Sequence, residues 1–361
     1  MMRTFHFEPA YGQISWRLGA KARSSRPLNS HRHRGMTLIE LLVALTISSV
    51  IAIAAVSALV VSRQGFSTVD AASQLRDNTR FAVELIQRLA LQTGYQDIRF
   101  ATTVRPGTAT MPVPTPNVSG FNNRKAVAAS SDPSTTVVAW GASELGSGSD
   151  VLVLRYQPSE RFVGATVSDR SMISCNGESA TFTPTARDER ITSVLYVDTS
   201  TGEPSLMCVA SRVDDASWPL APRGQPIISG VESMQVLYGV ESVTPNAAPP
   251  AAGVSDTSYP NMFLRADQMV VAGNPDATNL NWQRVRSIRI GLILRGPLGS
   301  AQDSTVRTLY PLGQAAGAAG GAAGSALSSA ADVGTIFTTP ADTRLRQVVT
   351  FTVHLRNEQK G

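Results

Sequence analysis

The sequence predicts an α+β protein: one long N-terminal α-helix, membrane-spanning in its first half, packed on a mostly antiparallel β-sheet head. Three observations lead there. Between Arg34 and Arg63 lie 28 residues whose only charge is Glu40. No proline occurs from His31 through Arg105, so nothing interrupts a continuous helix. Beyond it come six runs rich in β-branched and aromatic residues, which read as strands.

Residues 1–35 form a basic leader. They hold Arg3, Arg17, Lys21, Arg23, Arg26, Arg32 and Arg34 against Glu8 alone, together with His6, His31 and His33. Without the leader, 25 basic and 26 acidic residues remain, so the formal charge of +5 belongs to this arm. The rest of the chain offers no net attraction to a polyanion. The apolar run that follows, residues 36–62, exceeds the roughly 20 residues needed to cross a bilayer. Arginines before it keep that end in the cytoplasm by the positive-inside rule, and the bulk of the chain is exported.

Helical periodicity outlasts the apolar run over residues 63–94. Phe66, Val69, Ala72, Leu75, Thr79, Ala82, Leu85 or Ile86, and Leu89 recur at three- and four-residue steps, which presents one stripe to a head, and Gly94 ends the helix. Such a helix would be roughly 80 Å long. Residues 95–361 make the head. Residues 101–149 are rich in Pro, Ser, Thr, Gly and Asn and read as an extended surface connection with a short strand at Thr136–Trp140. Strands are expected at 150–156, 192–197, 206–212, 231–240, 285–294 and 347–355, with Leu195–Val197 and Leu206–Val209 forming a hairpin. Arg286, Arg289 and Arg295, on or beside one of these strands, read as exposed sheet-face or edge charges. Residues 314–331 are nearly all Ala, Gly and Ser and read as a flexible loop.

The two cysteines, Cys175 and Cys208, both follow the apolar run. An even count in an exported segment points to one disulfide, with two buried free thiols as the alternative. No GxSxG, CxxC, HExxH or GxxxxGK pattern occurs, and His354 is the only histidine after the leader. Its neighbours Thr352, Val353 and Leu355 suggest a sheet position rather than a catalytic one. The oxygen-bearing run Asp198–Glu203 lacks a full calcium-loop pattern and reads as a solvated turn. Lys125 and Lys360 are the only lysines after the leader, and the arginines are spread rather than clustered with aromatics. No cofactor, metal, catalytic role or direct nucleic-acid binding is expected.

The stretch Arg34-Gly35-Met36-Thr37-Leu38-Ile39-Glu40, opening a long hydrophobic helix, resembles the type IV prepilin signal. The resemblance implies cleavage between Gly35 and Met36 by an inner-membrane prepilin peptidase, and methylation of the new N-terminus at Met36. Met36 stands where phenylalanine is commonest in the family, and the leader is long. A carboxylate in a membrane costs about 2.5–3.5 kcal/mol on insertion scales, so Glu40 needs compensation. The freed ammonium of a neighbouring subunit would supply it, making Glu40 an assembly salt bridge. The rival reading is a plain anchor with an incidental glutamate.

The head resembles that of PilW-type minor pilins through "RFAVELIQRLALQTGY", the cysteine pair flanking "LYVD", "GVESMQVLYGV", "VRSIRIGLILR" and "QVVTFTVHLRN". That resemblance implies a minor pilin, held in the bacterial inner membrane with its head in the periplasm. It would be incorporated at low copy into a type IV pilus, helping to initiate assembly at the tip. The implied partners are prepilin peptidase, other major and minor pilins, and the inner-membrane assembly platform. Two rivals stand beside it: a minor pseudopilin of a type II secretion system, which shares signal and helix, and a membrane-tethered exported enzyme, which would need a catalytic centre in the head.

Overall fold

A computed structural model describes residues 35–104, 113–127, 134–141, 144–199, 202–211, 224–250, 259–314 and 332–357. The basic leader before Gly35, part of the connection at 105–112, the expected loop from 315 onward, and Lys360 lie outside the described residues. Helix α1 runs from Leu38 to Gln92. The chain divides into two units, residues 1–60 and residues 61–361.

In the first unit, every described side chain of α1 is exposed, and they are almost all apolar. In the second, α1 buries Ala71, Leu75, Thr79, Ala82, Ile86, Leu89 and Ala90. These recur at three- and four-residue steps and so share one face. The stripe starts later than the sequence pattern suggests: Phe66 and Val69 are 75% and 70% exposed. Periodicity alone identifies a face, and only packing decides where its burial begins. Past Gln92 the chain turns at Gly94, with φ +79, and Gly94 N–H donates to the Arg155 carbonyl at 2.9 Å. The side-chain amide of Asn357 covers the helix end by donating to Thr93 O at 3.0 Å.

The strands are β1 (Val118–Phe121), β2 (Arg124–Ala126), β3 (Val137–Ala139), β4 (Val151–Tyr156), β5 (Ile191–Asp198), β6 (Ser205–Ser211), β7 (Gln225–Ser229), β8 (Val231–Val240), β9 (Met262–Leu264), β10 (Val285–Arg295), β11 (Thr308–Leu309), β12 (Phe337–Thr338) and β13 (Arg346–His354). A short helix, α2 (Pro275–Trp282), precedes β10. Among the described residues there are two main antiparallel sheets, ordered β1-β4-β5-β6-β7 and β13-β10-β8-β9, and the pairs β2-β3 and β11-β12.

Alternation along the strands sorts the core. Leu152 and Leu154 of β4, Leu195 and Val197 of β5, and Leu206 and Cys208 of β6 face one way. They join Ile86 and Leu89 of α1, together with Met234, Val236, Ile288, Ile290 and Leu292 of the other sheet, in one cluster. Val151, Val153, Val194, Tyr196, Met207 and Val209 face the other way, against Ala126 of β2. Full burial of each large aliphatic side chain contributes about 1.5–3 kcal/mol before chain entropy is set against it.

The structure corrects the connection at 101–149, which supplies β1 to the five-stranded sheet. Gly120 is required there, because a β-carbon would meet the Tyr238 hydroxyl at 2.0 Å and the Val151 carbonyl at 2.5 Å. The arginines of β10 are a second correction. Arg286 and Arg295 are largely covered and serve as counter-ions rather than as part of an exposed row. Arg295 reaches Glu232 at 3.1 Å and Glu203 at 2.8 Å, and Arg286 reaches Glu241 at 3.1 Å. Arg289 is half-buried and donates to the Leu312 carbonyl at 3.4 Å.

Arg346 completes the network, at 2.6 Å from Glu232 and 2.7 Å from Asp342. The Arg346 guanidinium holds Asp342 below the usual carboxylate range, and Arg295 does the same for Glu203. A depressed folded value means stability that is present above the unfolded value, about 4, and is lost as pH falls through the folded one. Arg346→Met should therefore cost about 3 kcal/mol at neutral pH in denaturant unfolding, because Glu232, 1% exposed, loses one of its two cations. The gap between parent and variant should narrow below about pH 4.

Candidate processing and assembly site

Gly35, Met36 and Thr37 precede the first helical residue, Leu38, and are exposed. Thr37 is the helix N-cap. Its hydroxyl accepts from Glu40 N–H at 3.3 Å, while Glu40 Oε2 accepts from Thr37 N–H at 3.0 Å and from the Thr37 hydroxyl at 3.1 Å. This reciprocal pattern is a capping box, which satisfies two of the amide groups a helix start leaves unpaired. The sequence carries the signal for it, Thr-x-x-Glu ahead of an apolar run, and reading Glu40 as a lone charge misses it. Glu40 has a partner within its own chain. The negative side chain in the first turn also sits at the positive end of the helix dipole. Its other oxygen, Oε1, makes no hydrogen bond among the described residues.

From Leu38 to Val61 the helix covers about 36 Å at 1.5 Å per residue, enough for a hydrocarbon core of about 30 Å. The hydroxyls within this stretch do not need water. Thr46, Ser48, Ser49 and Ser57 donate to the carbonyls of Val43, Ala44, Thr46 and Ile53 at 2.7 to 2.8 Å. Backbone-satisfied hydroxyls are the form in which Ser and Thr tolerate lipid.

In the head, Cys175 and Cys208 form a disulfide, with Cα atoms 5.8 Å apart and both residues buried. It ties the loop between β4 and β5 to β6, an interior strand. Cys175 N–H also donates to Ser193 Oγ of β5 at 3.0 Å. The loop is fixed at a second point: the Gln92 side-chain amide donates to the Ile173 carbonyl, and Ile173 N–H returns a bond of 3.3 Å. This joins the end of α1 to the cysteine loop. No sequence motif announces it. His354 is exposed on β13. Among the described residues, no group of three or more His, Cys, Asp or Glu side chains is placed to hold a metal ion.

Residues 30–56 match the family model of the prokaryotic N-terminal methylation motif, and residues 194–357 match that of the type IV pilus-assembly protein W. The chain thus carries a prepilin-type methylation motif and a PilW-type head segment. No curated protein matches it. A solved type IV-like pilin from Thermus thermophilus is similar over 79% of this chain and 98% of its own, at 13% identity and a TM-score of 0.36.

The disulfide closes a loop of 33 residues, which the chain-entropy treatment values at roughly 3–4 kcal/mol. Replacing both cysteines by alanine should lower unfolding stability by at least about that amount, read by tryptophan fluorescence in denaturant on the detergent-held chain.

Proposed function

We propose that this chain, pilin-like by its methylation motif and head segment, is a minor pilin that enters a type IV pilus at low copy and helps to start assembly at the tip. The observation that carries the reading is the start of α1. The Gly35–Met36 bond lies outside the helix, where its backbone is uncommitted to helical hydrogen bonds, and Glu40 waits one turn inside.

An inner-membrane prepilin peptidase would cut after Gly35 and methylate Met36, leaving a cation at the mature N-terminus. The leader remains in the cytoplasm and the head stands in the periplasm. On lateral packing against major and minor pilins at the assembly platform, Glu40 Oε1 accepts from a neighbour's ammonium while Oε2 keeps the cap. Both charges are then neutralised inside an apolar bundle, and the pairing sets the axial offset between helices. The head, whose ion pairs and disulfide go into its own packing, acts as a structural element rather than an enzyme.

Mass spectrometry of the protein from peptidase-positive cells should find N-methylated methionine 36 as the first residue. An N-terminus anywhere else refutes the processing. The assembly role is separable from the cap because Glu40→Gln keeps an accepting oxygen but no charge. That variant should insert in the membrane as the parent does, yet fall about tenfold or more in filament incorporation, the equivalent of losing one charge-assisted hydrogen bond. Incorporation at the parent level would leave Glu40 with the cap alone.

A further inference from the structure

β13 is the outer strand of the four-stranded sheet and pairs only with β10. Just beyond the two ends of the paired stretch, Leu355 N–H donates to Arg286 O at 2.9 Å and Gly296 N–H donates to Leu345 O at 2.8 Å. In the antiparallel register this turns the backbone groups of the odd-numbered residues toward β10. Val348, Thr350, Thr352 and His354 therefore point their N–H and C=O groups away from the sheet, and none of these groups has a partner among the described residues. The last three of these residues are exposed. The row is about 20 Å long.

Sheet edges of this kind are normally blunted by shortness, proline or charge. The other edges of the two sheets are. β9 has three residues, β1 has four, and β7 carries Pro226, which has no N–H to offer. β13 has nine residues and neither charge nor proline from Gln347 through Val353. The Pro311 carbonyl accepts from Thr350 Oγ1 at 2.6 Å, which places that segment over the face of the strand, to which side chains point, and leaves the edge open.

We infer that β13 is a strand-pairing edge for a different subunit, whose extended, uncharged segment joins the sheet and brings an acidic residue to Arg356. Arg356 is exposed just past the edge and has no ion pair among the described residues. A second copy fits worse. The longest antiparallel self-pairing, centred on Thr350, sets Arg356 against Arg344, and centring between Thr350 and Thr352 sets it against Arg346; centring between Val348 and Thr350 brings it to Asp342, a carboxylate that Arg346 of its own chain already holds at 2.7 Å. Like charges directly opposed destabilise a ladder. Main-chain bonds give such added strands their affinity, and alternate side chains give them their specificity. The inference rests on the proposed function only for the kind of partner.

Residue-resolved hydrogen exchange on the full chain, free in detergent and then within filaments, tests it. Free, the amides of residues 348, 350, 352 and 354 should exchange fast while those of 349, 351 and 353 are protected. In filaments the first set should slow by about tenfold or more. Thr352→Pro removes only an outward N–H, so the head should still fold while incorporation drops about tenfold. Thr352→Lys gives the same reading should the proline variant misfold. Outward amides still fast in filaments, or both variants incorporated like the parent, overturn the edge alone. A disulfide between cysteines placed at 350 and 352 of two copies overturns the choice of a different subunit. A parent chain that never enters filaments overturns the pilin reading and this partner with it.

Discussion

A carboxylate at the head of an apolar helix has to be compensated wherever that helix goes, and this chain begins the compensation itself. Glu40 is bound to its own Thr37 before any partner is present. The capping box supplies two hydrogen bonds to one oxygen, and the helix dipole adds a favourable field. The net charge is still there. A neutral surrounding such as lipid leaves it costly, whereas a cation near Oε1 removes the cost, so the residue favours an environment that brings a second chain's amine alongside. In the proposed function, insertion and assembly are successive demands on the same side chain, met by different oxygens.

The head meets a different constraint. Its two sheets share one core with α1, and polar residues at the seams join them. Asp150 accepts from Asn123 N–H on one side and from Val236 N–H of β8 on the other, both at 2.8 Å. Burial pushes its carboxyl above the usual range while those two amides pull the other way. Asp332 accepts from the Asn123 side chain at 2.6 Å, so a single β1–β2 turn residue binds both buried acids. Glu232 with Arg295 and Arg346 ties β8, β10 and β13 within the four-stranded sheet, and Arg295 reaches across to Glu203, just before β6 of the other sheet. Buried ion pairs of this kind add little net stability over apolar packing, but a broken one is expensive, which ties the strands to one arrangement.

Much of this was legible in the residues because local rules govern it. The span, the helix end at Gly94 and the strands at 150–156, 231–240 and 285–294 follow from charge spacing, glycine and β-branched runs. The disulfide followed from two cysteines in a segment expected to be exported. What stayed hidden depends on contacts between segments distant in sequence. β1 is four residues with a glycine inside, too weak a pattern to read as a strand, and it exists because β4 offers an edge and Tyr238 leaves room only for Gly120. Arg295 and Arg286 look like surface charges until Glu232 and Glu241 appear on β8 and just beyond it. The Thr37 cap is the exception, a local signal that was readable and hidden only by the greater conspicuousness of the charge beside it.

These two halves of the chain imply different kinds of recognition. A carboxylate meeting an ammonium is satisfied by any subunit that presents a free N-terminus at the right depth, so Glu40 cannot by itself distinguish one partner from another. The apolar surface of Leu38–Val60 is equally undiscriminating, since dispersion and lipid exclusion require only close packing. Selectivity must therefore come from groups that demand direction and register. Backbone donors and acceptors in a fixed row do so, because a one-residue slip turns every side chain of an added strand to the opposite face. In the proposed pilus, the helix would thus provide most of the association while the head decides with which subunit it occurs.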